Sequence, residues 1–333
     1  MQALPDIEIG DRETLFPRLA ARSRPGVLRG IATDWPLVAA ARSGTRSASD
    51  YLRGFYQGAP VTAFRGRGDT GGRIFYSDDL AGMNFEQAKT DLEGLLDSLL
   101  EHADSPAAPT IYMGSMAIDY CLPGLRTDNS LPGGGRQATV RIWIGNRSTV
   151  SAHYDVMQNV ACVCAGRRLF TLFPPEQLGN LYVGPLEFTP AGQQVSLVDP
   201  HEPDLERYPR FAEALAAACV AELEPGDGIY IPAMWWHHVE GLESFNILIN
   251  HWWREVPARM GAPGDALLHA ILEIRDLPPA EREAWRGLFG HYVFDYDAAV
   301  VAHIPEARRG VVGELDDDTA RRIRSALRNK LNR

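Results

Sequence analysis

Lysine is almost missing from this chain: Lys89 and Lys330 are the only two, and the other 31 of its 33 basic residues are arginine. Cysteine is scarce as well. Cys121, Cys162, Cys164 and Cys219 form no C-x-x-C pair, which excludes a thiol redox motif and offers no disulfide framework. They read as reduced core residues of a cytosolic protein, and Cys162 and Cys164, two apart, share one face if their apolar run is a strand. No apolar run reaches the ~18 residues that a membrane-spanning helix needs. The opening MQALPDIEIGDRETLF is charged throughout and lacks the apolar stretch of a signal peptide, so a soluble, cytoplasmic protein is expected. There is no repeat at a fixed period and no low-complexity tract. Positive charge is also in deficit: the formal net charge of -10 argues against a general nucleic-acid surface, which needs clustered Lys and Arg, although a local basic groove stays open.

What the chain does contain is ordinary for a folded protein. Hydrophobic residues make up 45% and charged residues 23%, which excludes disorder as the default. A length of 333 residues suits one large β-rich domain with appendages.

Three textures follow one another. Residues 1–109 are mixed α/β, with short apolar runs at 26–30 and 60–64 that read as strands, an amphipathic helix pattern over 84–102, and a Pro-rich break at 105–109. Residues 110–257 turn to β: TIYMGSM, ATVRIWIGN, TVSAHYDV, NVACVCA, RLFTLFPP, DGIYIPA and FNILINHWW are separated by Gly, Pro, Asn and Asp clusters. Seven or so short strands punctuated by turns predict a sandwich or barrel, interrupted by an insertion over 178–221 whose second half, ERYPRFAEALAAACVAEL, reads as helix. Residues 258–333 revert to amphipathic helix, and the last, LDDDTARRIRSALRNKLNR, begins acidic and ends basic, as the helix dipole favours. This helical tail is expected either to pack on the barrel or to pair two subunits, and we expect a homodimer.

The chemistry is carried by Ser151-Ala152-His153-Tyr154-Asp155. In a strand, positions i and i+2 project together, so His153 and Asp155 share a face. Far along the chain stands a second strand-like segment, Ile231-Pro232-Ala233-Met234-Trp235-Trp236-His237-His238-Val239. Two histidines and one carboxylate on adjacent strands make a facial triad, which fills one side of an octahedral ion and leaves three positions open, the non-haem iron(II) oxygenase arrangement. H-x-D alone is a weak signal, because it recurs by chance in proteins whose histidines merely fill cores. Parity puts Trp235, His237 and Val239 on one face and Trp236 and His238 on the other, without saying which face is inside.

At these residues the chain resembles the JmjC, or cupin-like, 2-oxoglutarate oxygenases, and within that family the asparaginyl hydroxylases. The likeness rests on AHYDVMQN, GRRLFTLFPPEQ, EPGDGIYIPAMWWHHVE and NILINHWW, in that order, with weaker likeness around IYMGSM and RGIATDWP. It implies a double-stranded β-helix (jelly-roll, cupin) core, flanked by the N-terminal mixed region and the C-terminal helices. It implies Fe(II) held by His153, Asp155 and His237, with His238 turned away as a structural residue. It further implies 2-oxoglutarate as cosubstrate with O₂, yielding succinate and CO₂. The distal carboxylate falls to Arg168, where relatives of this kind carry lysine; the swap suits the chain's arginine bias, and Arg167 is the neighbouring candidate. Tyr112, Asn159, Asn250 and Trp252 match residues around the cosubstrate and iron. Two positions depart: Val150 replaces a threonine that donates a cosubstrate hydroxyl, for which Thr149 or Thr171 are the substitutes, and Met157 replaces a glutamine that touches peptide substrate. Trp235 is expected to help make the cavity apolar. The implied activity is hydroxylation of a C–H bond in a protein or peptide side chain. The competing readings are the same chemistry on a small molecule, free amino acid or tRNA nucleoside, and a non-catalytic metal-binding cupin.

Overall fold

A computed structural model describes residues 1–67, 70–105, 107–132 and 138–331. Pro106, in the break at 105–109, and the last two residues of the helical tail lie outside them. The chain divides into two compact units, Met1–Arg254 and Glu255–Arg333.

The strands of the first unit, in chain order, are β1 (Gln2–Ala3), β2 (Gly26–Leu28), β3 (Val61–Gly66), β4 (Arg73–Ile74), β5 (Phe85–Thr90), β6 (Thr110–Ala117), β7 (Thr139–Gly145), β8 (Ser148–Tyr154), β9 (Gln158–Ala165), β10 (Arg168–Phe173), β11 (Cys219–Leu223), β12 (Gly228–Ile231), β13 (Trp236–Gly241) and β14 (Asn246–Trp253). They form two sheets, ordered β1-β11-β10-β13-β8-β4 and β2-β12-β9-β14-β7-β6-β3-β5. Strands β7 to β14 are shared between the sheets in the jelly-roll manner, alternating except at the consecutive β10 and β11: β8, β10, β11 and β13 in one, β7, β9, β12 and β14 in the other. The expected cupin core is therefore present, and a sheet with both faces covered explains why β9 reads as a continuous apolar run.

Alternation survives in β7. Val140, Ile142 and Ile144 are buried in a core shared with Leu15, Phe16, Leu37, Leu52, Leu92 and Leu96 of the N-terminal region, while Trp143 faces the interior between the sheets. Cys162 and Cys164 lie in that same core, free and buried, as their spacing predicts. A second cluster, including Val163, Phe170, Ile229, Ile231 and Leu248, is drawn from both sheets. The insertion seals the outer face of the smaller sheet with Leu181, Val198, Phe211 and Ala214, packed against Phe173 and Trp236.

Two sequence expectations give way here. Over 84–102, only Leu92–Glu101 is helical; Phe85–Thr90 is strand β5, paired along β3. Asp91 divides them, its side chain capping the helix by accepting from the Gly94 amide at 2.6 Å. The apolar Phe85 and Ala88 fit a helical period by coincidence of spacing. In the insertion, the helix spans only Phe211–Ala217, and Cys219–Leu223, read as its continuation, is strand β11 paired with β10 and β1. Ladder pairing on both sides outweighs the helix propensity of an alanine-rich run.

In the second unit, helices Pro263–Ile274, Pro279–Phe289 and Asp317–Leu331 match the expected helical tail. Leu267, Leu268, Leu272, Trp285, Phe294 and Leu331 are exposed there. Among the described residues, no helix is long and apolar enough to cross a membrane.

Candidate metal centre

His153 lies near the end of β8 and His237 near the start of β13, directly opposite each other in the antiparallel ladder. Their ring centroids are 4.3 Å apart. Asp155 follows immediately after β8, its Oδ2 3.6 Å from Nε2 of His237. One ligand atom from each of the three residues lies within 4.8 Å of the other two. The β8–β13 register shifts between His237 and Val239, a bulge of the kind that re-aims side chains beside functional sites.

The two imidazoles are oriented by the backbone. Nδ1 of His153 is 2.9 Å from the Ser151 carbonyl oxygen, and Nδ1 of His237 is 3.0 Å from that of Trp235. A carbonyl only accepts, so each Nδ1 carries the proton and each Nε2 presents its lone pair to the centre. Burial, reinforced by the neighbouring His153, pushes the His237 pKa down to about 4, and Asp155 with the Trp235 carbonyl only partly opposes this. At neutral pH His237 is thus the neutral imidazole that a metal requires.

The turn leading into β13 is held under strain. Met234 adopts φ 69, a left-handed conformation costly for a side chain of this kind, and its amide donates to the Asp155 carbonyl at 2.8 Å. The Ala233 amide donates to Oε1 of Gln158 at 3.2 Å. The Asp155 backbone and the approach to His237 are therefore fixed to one another.

A cavity of about 570 Å³ opens beside the triad and includes all three residues in its wall. Arg168, at the head of β10, is 2% exposed and enters this cavity with Nε and Nη2 lacking any hydrogen-bond partner in the protein. Burial presses its pKa down, with Tyr112 and Cys164 pulling the other way. Tyr112, on β6, lines the same wall; burial raises its pKa to about 12 against the opposing field of Arg168, so it stays a neutral donor. Arg167 does something different: it is exposed and ion-paired with Glu222 and Glu243 at 2.6 and 2.8 Å. Asn159 and Asn250 both reach the cavity, Asn250 donating to Asn159 Oδ1 at 2.8 Å, and Asn250 Oδ1 is left without a partner. Trp252 and Val150 line it too.

Four anticipated residues do not arrive, the first being Thr149, which lies on β8 outside the cavity wall. Thr171 is fully buried on the face of β10 opposite Arg168 and Phe170, paired in register with His238, so it cannot stand in for the missing hydroxyl. Trp235 precedes β13 and packs in the second core cluster, its indole donating to the Ser23 carbonyl at 3.0 Å. Strand parity failed for Trp235 because the strand begins one residue later. Met157 sits in the turn before β9, outside the cavity wall. Conversely, Thr62, Phe64, Met83, Phe85, Gln87 and Ser115, together with the insertion loop at 189–192, line the cavity without having been singled out. Apart from Ser115 and the insertion loop they come from the N-terminal region, and no spacing in the sequence ties them to the triad.

The donor set fits iron(II): two imidazoles turned toward the centre through Nε2 and one carboxylate, on one side of a centre that faces open space. The partnerless guanidinium atoms of Arg168 beside the Tyr112 hydroxyl fit a carboxylate, as one end of 2-oxoglutarate would supply.

Comparison with known proteins gives the family. Part of the chain is 38% identical over 106 residues to tRNA wybutosine-synthesizing protein 5 of Gallus gallus, covering 32% of this chain and 30% of that protein. It is 25% identical over 263 residues to Lysine-specific demethylase 8 of Xenopus tropicalis, covering 74% of this chain and 54% of that one. The Danio rerio demethylase of the same name is 32% identical over 157 residues, covering 46% and 35%. The chain thus spans about half, or less, of the length of the curated relatives it matches. The Cupin-like domain model matches residues 12–259, most of the chain, and on that match the protein belongs to the cupin-like domain family.

Proposed function

We propose that this protein is an iron(II)- and 2-oxoglutarate-dependent oxygenase that hydroxylates a C–H bond in a protein or peptide side chain. One observation carries the reading: a His-Asp-His triad whose two Nδ1 protons are pinned to backbone carbonyls faces a cavity holding a buried, partnerless arginine. When bound, the iron and cosubstrate supply oxidation of an unactivated C–H bond with release of succinate and CO₂. The chain's own work is positional. Ser151 and Trp235 carbonyls hold the imidazoles, Arg168 and Tyr112 bind the distal carboxylate, and Trp143 with Trp252 keeps the inner cavity apolar. Phe64, Met83 and Phe85 line its wall on the N-terminal side, where an apolar stretch of substrate is accommodated.

A second reading is favoured by the cavity itself. Its volume of about 570 Å³ falls in the range of small-molecule clefts, and the relatives' names divide between tRNA modification and lysine demethylation. The same chemistry on a nucleoside or free amino acid is therefore the alternative. Anaerobic addition of Fe(II) and 2-oxoglutarate is expected to produce a weak visible charge-transfer band, and succinate release over peptide arrays, free amino acids and tRNA then separates the substrates. No band, together with no thermal shift from 2-oxoglutarate, defeats the oxygenase reading altogether.

For the second unit, the exposed Leu267, Leu272, Trp285 and Phe294 support pairing through 262–333 with another copy of the chain. Light scattering at micromolar concentration is expected to give about twice the 36.7 kDa of one chain. A mass near the single-chain value ends that proposal.

A further inference from the structure

The residue after the metal ligand His237 is another histidine, and it points the other way. His238 lies on the outer face of β13, 0% exposed, and neither ring nitrogen has a hydrogen-bond partner in the protein. Two positions on, and therefore on the same face, Glu240 places Oε1 3.6 Å from Nε2 of His238. The insertion lays His201 over the pair, its Nε2 2.7 Å from the same carboxylate oxygen. The ligand atoms of His201, His238 and Glu240 all lie within 4.8 Å of one another, the one other such group among the described residues.

We propose that His201, His238 and Glu240 form a second metal site, structural in role and suited to zinc. Two imidazoles and a carboxylate are zinc donors, and bonds of about 2.0–2.1 Å to a tetrahedral ion put neighbouring ligands about 3.4 Å apart. His238 and Glu240 already stand near that separation. His201, on an exposed loop, needs to withdraw from its 2.7 Å contact with Glu240 by about 0.7 Å to match it. The His201 amide donates to Asp199 Oδ1 at 2.9 Å. An ion pair between His201 and Glu240 alone would leave the buried His238 ring unused, whereas a metal engages all three side chains at once. The His201 side chain is about one-third exposed, and a water from that side would be the fourth ligand.

The site is separate from the triad, since consecutive residues of one strand face opposite sides of the sheet. Its effect is mechanical. A metal clamps the insertion onto the outside of β13, the strand whose inner face carries His237.

The test uses untagged full-length protein, stripped of metal, reloaded with zinc and desalted, with metal measured by mass spectrometry. In a His153→Ala background, which removes the triad as a competitor, about one zinc per chain is expected to remain. Adding His201→Ala or the isosteric Glu240→Gln is expected to remove it, and to abolish a zinc-dependent rise in melting temperature shown by His153→Ala alone. Cobalt(II) in the His153→Ala protein should give the intense visible bands of tetrahedral coordination. A folded His153→Ala protein that holds no zinc overturns the proposal, as does zinc retained undiminished in the double variants.

Discussion

Replacing His237 with alanine is expected to abolish 2-oxoglutarate turnover while leaving the protein folded. Loss of residues that merely support a metal ligand typically costs 10- to 100-fold, so loss of a ligand itself should lower kcat/KM by at least about two orders of magnitude. That corresponds to about 2.7 kcal/mol of transition-state stabilisation. The side chain is 4% exposed and its ring packs beside His153, so a small cavity is left, but the ladder between β8 and β13 does not depend on it. The visible band of the Fe(II)–2-oxoglutarate complex should vanish with the activity. The informative companion is His238→Ala, because the two histidines are neighbours in sequence and only the fold separates their roles. If His237→Ala keeps activity within tenfold of the parent and His238→Ala loses it, the triad has been assigned to the wrong face.

How much of this was legible beforehand depends on whether the signal was local. The strands β7 to β10, β12 and β14 were readable because each is a short apolar run closed by turn residues, and the i, i+2 spacing brought His153 and Asp155 together although Asp155 falls one residue past the end of β8. Likewise the alternation rule separated His237 from His238 correctly, though only the sheet's environment shows that the His237 face is the inner one. Trp235 shows the limit of the same rule: parity holds only within a strand, and β13 starts after it. Strand β11 was hidden because Cys219–Leu223 continues an alanine-rich helical pattern, and its identity comes from partners distant in sequence. The Thr171 substitution failed for a related reason, since its hydroxyl lies on the outer face of a strand whose inner face holds Arg168. The wall contributed by Phe64, Met83 and Phe85 was invisible, because nothing local distinguishes a cavity-lining apolar residue from a core one.

Arg168 sets up the second large effect, and its sign differs between the free and the bound protein. The guanidinium is buried with Nε and Nη2 unpaired, a state stabilised only when a carboxylate arrives. Arg168→Ala is therefore expected to raise the KM for 2-oxoglutarate by about 10²- to 10³-fold, the loss of roughly 3–4 kcal/mol typical of a truncated buried charge pair. Arg168→Lys keeps the charge but loses the two-pronged fork, and should fall between, near tenfold. Arg167→Ala should stay within about twofold, because its ion pairs to Glu222 and Glu243 are exposed. Without ligand the order reverses: Arg168→Met replaces an uncompensated buried charge with apolar volume and should melt at or above the temperature of the parent. Saturating 2-oxoglutarate should then raise the parent's melting temperature and leave the Arg168→Met variant unmoved. An unchanged KM in Arg168→Ala, with a rise in Arg167→Ala, would move the anchor to the hairpin; an unchanged KM in both would show that the distal carboxylate is held elsewhere in the cavity.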